Sequence, residues 1–191
     1  MNNLFQGHLV RLRAVEAEDW QTHYAWDRAE TESARIVDEV WFPPSRRRAQ
    51  AWAERQATGE GNQGDNYFFQ IERSADEMHV GIINTHGCDR RSGTFYYGLS
   101  IAPAYRRQGY ASEAIRLVLR FYFHERRYQK ANAEVYAFNA GSIRLHEKLG
   151  FTLEGRLRRM VFTQGAFHDA LVYGMTREEF EATGLPCLPQ V

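Results

Sequence analysis

The sequence predicts a mixed α/β domain on a mostly antiparallel sheet with one central β-α-β unit, and three observations carry that reading. Residues 67–101 hold three β-type apolar runs in series, separated by short polar turns, as in an antiparallel meander. Ala111, Ala114, Ile115, Val118, Leu119, Tyr122 and Phe123 recur at helical spacing and form a one-sided apolar stripe. A further apolar run at 131–138 follows that helix, so the strand–helix–strand connection should be a crossover between parallel strands.

Each element has a local signal. Residues 8–13 alternate through Leu9, Val10, Arg11, Leu12 and Arg13 and read as a first strand. Residues 16–29 place Trp20, His23, Tyr24 and Asp27 at helical spacing, with Glu18 and Asp19 where the helix dipole favours acid. Pro43-Pro44-Ser45 stops one element and starts the next. Ser45 is expected to cap a helix reaching about Thr58, with Ala49, Trp52 and Ala53 on its buried side. Residues 59–66 (GEGNQGDN) read as a loop between structured segments. Strands at 67–73 and 79–85 are joined by Ser74-Ala75-Asp76-Glu77, and Arg90-Arg91-Ser92-Gly93 turns into a strand at 94–101.

The striped helix carries Glu113 in its first turn and Arg126 and Arg127 at its end, both placements favoured by the dipole. After the strand at 131–138, a short helix at 142–149 is closed by Gly150. Strands at 153–163 and 167–174 turn at Gln164-Gly165, and Thr176-Arg177-Glu178-Glu179 forms a capping box for a short terminal helix. With no internal repeat or low-complexity tract, one domain over residues 1–191 is expected, its core at about 9–175 and a short tail beyond.

Composition narrows the function classes. Of 191 residues, 43% are hydrophobic and 14% aromatic, enough for a packed core and unlike a disordered chain. Basic and acidic residues number 24 each, so the chain lacks the positive excess of a general nucleic-acid binder. Two cysteines, Cys88 and Cys187, are too few for a disulfide scaffold and form no CxxC pair. No secretory leader pattern opens the sequence and no apolar run is long enough to span a bilayer, so a cytoplasmic protein away from membranes is expected.

The chemistry-bearing segment runs from Ile101 to Ala111 (IAPAYRRQGYA). A strand ends at Pro103, and a loop containing Gly109 leads into the striped helix. Helix starts leave about four N–H groups without intrahelical partners, and together with the dipole these make a site for phosphate oxygens. Gly109 lets backbone approach such a ligand, while Arg106 and Arg107 add charge. Neither the Walker pattern GxxxxGK[ST] nor the dinucleotide fingerprint GxGxxG is present. The residues alone leave open a solvated βα turn.

Arg106-x-x-Gly109-x-Ala111 resembles the acyl-CoA pyrophosphate motif of the GNAT superfamily of N-acetyltransferases, [QR]xxGx[GA]. Two further stretches resemble the same superfamily. Asn139-Ala140-Gly141-Ser142 through His146 to Gly150-Phe151 is similar to its N-x-x-[SA]-x-x-x-[YH]-x-x-x-G-F signature. Glu154-Gly155, Arg158, Gln164-Gly165 and His168-Asp169 resemble the tail of the branch holding ribosomal-protein N-terminal and spermidine acetyltransferases. The likeness spans Leu9 to Met175.

The resemblance implies a splayed sheet with acetyl-CoA, the acetyl donor, in its opening; no metal is expected, since no HxxxH or Cys/His cluster occurs. The backbone of Leu99, Ser100 and Ile101 would pair with the pantetheine arm. N–H groups of Arg106, Arg107, Gln108, Gly109, Tyr110 and Ala111 would hold the pyrophosphate, with Asn139 and Ser142 contacting the cofactor from the next unit. The implied reaction is direct acetyl transfer to a primary amine, either a protein N-terminus or a small amine such as a polyamine. A backbone N–H late in the strand at 94–101 would polarise the thioester carbonyl. A CoA-sensing protein without catalysis remains the alternative, and a homodimer is the family-level expectation.

Departures from the family pattern leave specific roles open. Position 146, where the family commonly places a tyrosine that protonates the CoA sulfur, is His146 here; an imidazole can donate that proton or merely pack beside Ile143 and Leu149. Where a related branch has a glutamate, this chain has Tyr96, so Glu134 on the facing strand becomes the general-base candidate, with a plain surface carboxylate as the alternative. Asp38, Glu39, Trp41 and Phe42 fit a cationic amine through charge and cation–π contact, or form an anchored loop. His168 is either an acceptor contact or a structural polar group.

Overall fold

A computed structural model describes residues 3–29, 31–37, 40–60 and 64–184. Its strands are β1 (Val10–Arg13), β2 (Phe68–Arg73), β3 (His79–Asp89), β4 (Thr94–Ile101), β5 (Lys130–Tyr136), β6 (Thr152–Thr163) and β7 (Ala166–Thr176). They form one seven-stranded sheet in the order β1-β2-β3-β4-β5-β7-β6. Every neighbouring pair is antiparallel except β4 and β5, the two strands joined by the expected crossover. The helices are α1 (Trp20–Ala29), α2 (Glu32–Val37), α3 (Arg46–Ala57), α4 (Tyr110–Arg120), α5 (Ala140–Leu149) and α6 (Arg177–Ala182).

Strand alternation decides what each face of the sheet meets. Ile71, Ile83, Phe95 and Ala131 are buried in one core with Ile115, Leu119, Tyr122 and Phe123 of the striped segment. Phe95 stacks on Tyr122 with ring centroids 4.3 Å apart. On β2 the alternate residues meet α1 and α3: Phe68 packs edge-on against Trp52 at 5.1 Å, and the Gln70 amide donates to His23 Nε2 at 2.9 Å. His23 is thereby enclosed, and burial lowers its pKa to about 4.

Ser45 caps α3, Gly150 closes α5 in a left-handed conformation, and Thr176 opens α6 in a capping box. Several boundaries differ from the sequence reading for identifiable reasons. The helix expected from residue 16 begins only at Trp20, because the Asp19 carboxylate takes the Glu16 N–H at 2.8 Å and closes a separate tight turn. The helix α2 has six residues, too few to show helical periodicity, and the sequence reading did not assign it. Strand β3 continues past Thr85 because His86 and Asp89 still find partners in Tyr96 and Thr94. β5 ends at Tyr136 and α5 begins at Ala140, two residues early, because Asn139 Oδ1 accepts the Ser142 N–H at 3.0 Å and caps the helix.

The striped helix does not run evenly to Arg127. At Phe121 it widens into a single π turn over Phe121–Glu125, and the Arg126 N–H reaches back to the Phe121 carbonyl at 3.2 Å. Tyr122 and Phe123 are both fully buried, and the wider turn lets two consecutive large rings face the same core. No helix among the described residues is long and apolar enough to cross a membrane.

Candidate active site

The site grows from the point where the two parallel strands part. Thr94, Phe95 and Tyr96 of β4 pair with Lys130, Ala131 and Asn132 of β5, and the pairing stops there. The Asn132 amide donates to the Phe95 carbonyl at 3.2 Å across the last joined rung. Beyond it β5 stays with β7 as far as Tyr136, while β4 stays with β3 as far as Ile101. Residues 97–101 of β4 therefore present an edge without a strand partner toward the gap, a template for an extended ligand. A cavity of about 60 Å³ lies in this opening, lined by Ile36, Tyr97, Leu99, Glu134, Tyr136 and His146 among others.

A loop over residues 102–109, with a 3-10 turn at Pro103–Tyr105, joins the open edge to the start of α4. Arg107 and Gly109 both have positive φ, 66° and 89°, which turns the backbone sharply after β4. At Gly109 an added Cβ would meet only Leu9 Cδ1, at 3.0 Å and at the tip of an exposed side chain, so it is the positive φ that calls for glycine there. The first hydrogen bond into the helix runs from the Glu113 N–H to the Gly109 carbonyl at 3.1 Å. The N–H groups of Tyr110, Ala111 and Ser112 are thus the unpartnered donors of the helix end. Glu113 itself turns away, and its carboxylate accepts the N–H groups of His8, Leu9 and Val10 at 3.0, 2.7 and 2.7 Å. That contact fastens the N-terminal segment beside the helix start.

The structure gives the motif side chains different tasks. The Arg106 guanidinium folds back, donating to the Ile101 carbonyl at 2.9 Å and to Ser33 Oγ on α2 at 2.5 Å, so it holds the loop shape. Arg107 and Gln108 are exposed, and Gln108 Oε1 accepts the Tyr110 hydroxyl at 3.0 Å. Asn139 is committed at both ends of its amide, to the Ser142 N–H and to the Ile36 carbonyl at 3.0 Å, and so ties α2 to α5.

His146 is 5% exposed, and its ring is held between Phe151 and Tyr173 at 5.1 and 5.5 Å. Its Nδ1 lies 2.8 Å from the Ser142 carbonyl, which can only accept, so Nδ1 carries the proton. Burial lowers the pKa of His146, against a smaller opposing effect of the Ser142 carbonyl, and favours the neutral ring. The Nε2 is then an acceptor, and the buried Tyr97 hydroxyl donates to it at 2.8 Å. Burial also raises the Tyr97 pKa well above the usual phenol range, so the phenol keeps its proton.

The remaining candidates spread around this centre. Glu134 is exposed on β5 and lines the cavity. Tyr96 points to the sheet face opposite Tyr97 and stacks on His86 at 5.8 Å. Burial lowers the His86 pKa, partly offset by the Glu134 charge. His168 on β7 meets Phe138 edge-on at 4.8 Å. Trp41 and Phe42 are exposed, Phe42 by 90%. Asp38 and Glu39 lie outside the described residues. Among the described residues no group of three His, Cys, Asp or Glu side chains is placed to hold a metal. Sequence reasoning missed Tyr97, whose only mark is its place on the buried face of β4, and the α2 residues Ser33 and Ile36, which carry no motif.

Known proteins share this fold. Residues 10–152 match the family described as acetyltransferase (GNAT) domain. The uncharacterized N-acetyltransferase YokL, derived from the SPbeta prophage of Bacillus subtilis, is 45% identical over 175 residues, covering 92% of this chain and 94% of that one. The putative ribosomal N-acetyltransferase YdaF of Bacillus subtilis is 26% identical over 106 residues, 56% of this chain and 58% of that one. The crystal structure of spermidine N-acetyltransferase from Vibrio cholerae in complex with CoA and spermine superposes with a TM-score of 0.79 at 18% identity, covering 92% of this chain and 99% of that one.

Proposed function

This chain belongs to the GNAT acetyltransferase family and is an N-acetyltransferase, and from that premise we propose that it passes the acetyl group of acetyl-CoA directly to a primary amine bound in the same complex. One observation carries the reading: the strand edge left open at residues 97–101 is followed, after a loop over residues 102–109, by the unpartnered N–H groups at the start of α4. An extended amide-bearing arm and a diphosphate need those two surfaces in that order.

On this reading the backbone of Leu99, Ser100 and Ile101 aligns the pantetheine arm, and N–H groups from Arg106 to Ala111 receive the pyrophosphate. Arg107 and Gln108 supply exposed polar side chains there, and Asn139 and Ser142 hold the start of α5 against the cleft. A backbone N–H of β4 faces the thioester oxygen, where charge develops during attack. The amine must be unprotonated to attack, and the leaving sulfur gains from a proton. Glu134 is placed at the cavity rim to draw a proton from the incoming amine through water.

The acceptor in the first reading is a protein N-terminus, supported by the tail motif at 154–169 and the relationship to YdaF. A polyamine is the second reading, favoured by the similarity to the spermidine enzyme over nearly the whole chain. Either amine would enter on the side of Trp41, Phe42 and His168. A homodimer belongs to the same proposal, and the edge strand β6 supports it by exposing Leu153, Leu157, Met160 and Phe162.

Acetyl-CoA at about a hundred times its dissociation constant should stabilise the native state by about 2.7 kcal/mol, seen as a rise in Tm. Free-thiol release is then followed with N-terminal peptides and polyamines in parallel. Release with peptides alone supports the first reading, and release with polyamines alone the second. A thermal shift without thiol release from any amine indicates a CoA-sensing protein, and no shift removes the cofactor assignment.

A further inference from the structure

The proton that must leave the attacking nitrogen and the proton that must reach the departing sulfur have a common carrier in the cleft. We infer that Tyr97 and His146 act as one relay, with Tyr97 as the catalytic residue exchanging protons with the reacting atoms and His146 as the positioning residue that stores the proton between the two transfers. This rests on the acetyl-transfer reading above: Glu134 takes the ammonium proton of the incoming amine, and the pair carries the later proton from the adduct nitrogen to the sulfur.

Three observations converge on it. Tyr97 and His146 both line the cavity between the parted strands, where the thioester would lie. Their hydrogen bond has a defined direction: Ser142 fixes the proton on Nδ1, so Nε2 accepts from the Tyr97 hydroxyl. The imidazole has no freedom to turn away, because it is stacked on Tyr173 and packed edge-on against Phe151. A phenol whose own proton points at an imidazole keeps its oxygen lone pairs for a donor in the cleft.

Once the amine is neutral, the remaining steps balance on the pair alone. The amine, having lost its ammonium proton through water to Glu134, attacks the carbonyl carbon; the C–N bond forms and the carbonyl π pair moves onto oxygen. The adduct nitrogen, now positive, gives a proton to Tyr97 Oη as the phenol proton passes to His146 Nε2. The resulting imidazolium is held by Nδ1–H donation to the Ser142 carbonyl. Collapse of the adduct restores C=O and breaks the C–S bond, leaving the electron pair on sulfur. Nε2 then returns its proton to Oη, and the phenol proton goes to sulfur. The products are the amide, the CoA thiol and the resting pair.

The order of proton affinities suits this path. An adduct ammonium is acidified by its electron-poor carbon and can yield its proton, whereas a thiolate, with a pKa near 8.5, takes a proton readily from an imidazolium through the phenol. Around His146, Tyr97 faces it from β4, Tyr173 from β7 and Glu134 lies across the cavity on β5, while Glu147 is its neighbour on α5. Only burial and the Ser142 carbonyl shift its titration, so none of these groups already holds the ring charged.

The test uses the full chain and one acceptor amine for three proteins, so that any limb set by the amine is common to all. Tyr97→Phe keeps the ring and removes the carrier; kcat should fall about a hundredfold, with acetyl-CoA still raising Tm as in the wild type. His146→Gln keeps an acceptor for the Tyr97 hydroxyl but cannot store a proton; kcat should fall about tenfold or more, and the acidic limb of the kcat–pH profile should shrink to the part that the amine itself sets. A purely packing role would leave the limb as in the wild type. The relay is overturned if Tyr97→Phe retains wild-type kcat, or if His146→Gln shows the wild-type acidic limb unchanged. Should Tyr97→Phe fail to fold, the His146→Gln profile decides alone. A wild type that acetylates no amine overturns the reading of function and the relay with it, whereas active variants beside an active wild type overturn the relay only.

Discussion

The seam between β4 and β5 is closed at one end and open at the other, and the two ends are built by opposite rules. At the closed end three rungs of parallel pairing join the strands, and the side chain of Asp65, held by residues from the segments just before β4 and β5, is 1% exposed. Its carboxylate accepts from Arg90 at 2.6 and 2.7 Å, from Arg126, and from the Tyr128 hydroxyl at 3.0 Å. Its carbonyl takes the Tyr122 hydroxyl and the Cys88 S–H, the latter at 3.3 Å. At the open end the same strand has an edge without a strand partner, and the helix that began the chain's strongest apolar stripe begins with unpartnered donors. Polar groups are satisfied inside the protein at the closed end and stand open at the other, where the proposed cofactor would bind. On that proposal stability and function divide along one strand.

That division can be broken experimentally, starting with the largest effect. Asp65→Ala should cost about 3 kcal/mol or more, because it removes a buried carboxylate from several donors at once, of which the Arg126 side chain is only 30% exposed. Urea unfolding measures the loss, and the variant, where folded, should still gain Tm with acetyl-CoA. A loss below about 1 kcal/mol would mean that strand pairing alone holds the closed end.

Gly109→Val probes the open end. A β-branched residue at φ 89° with Leu9 Cδ1 only 3.0 Å from its Cβ should cost about 1–3 kcal/mol, and the acetyl-CoA thermal shift should vanish. Persistence of the shift would detach the helix start from the cofactor site.

The smallest effect is a contrast in pH dependence. Burial raises the pKa of Cys88 and of Tyr122 at the closed end, so the stability they contribute is complete below the unfolded values near 8.5 and 10 and is lost as pH rises above them. His146 at the open end is shifted down, so its contribution is complete above about 6.5 and is lost as pH falls toward its folded value. His23, lowered to about 4 beneath α1 and α3, adds to the acidic fall from outside the seam. Urea midpoints across pH should show Tyr122→Phe flattening only the alkaline side and His146→Gln flattening part of the acidic side. Equal changes on both sides for either variant would merge the two ends into one unit.

Much of this was legible in the sequence because its signals are local. The stripe from Ala111 to Phe123, the caps at Ser45, Gly150 and Thr176, and the turn at Gln164-Gly165 each depend on residues a few positions apart. The crossover could be read because a strand, a long helix and a strand follow one another, and a parallel pair allows little else. Gly109 at the head of the helix was likewise visible as a backbone requirement.

What stayed hidden depends on partners far apart in the chain. Sequence left Asp65 in a polar loop, but Arg90 and Arg126 converge on it only after folding. It offered Arg106 as charge for a ligand, whereas Ser33 and the Ile101 carbonyl draw the guanidinium inward. It left His146 between proton donor and packing residue, and the tertiary structure assigned its tautomer by setting the Ser142 carbonyl on one nitrogen and Tyr97 on the other. By itself the sequence determined the longer helices, the turns and the succession of strands along the chain, since backbone geometry and apolar periodicity act over a few residues. Only the tertiary structure decided where two strands separate and which buried polar atoms face each other there, because those energies exist only between groups that folding brings within hydrogen-bond reach.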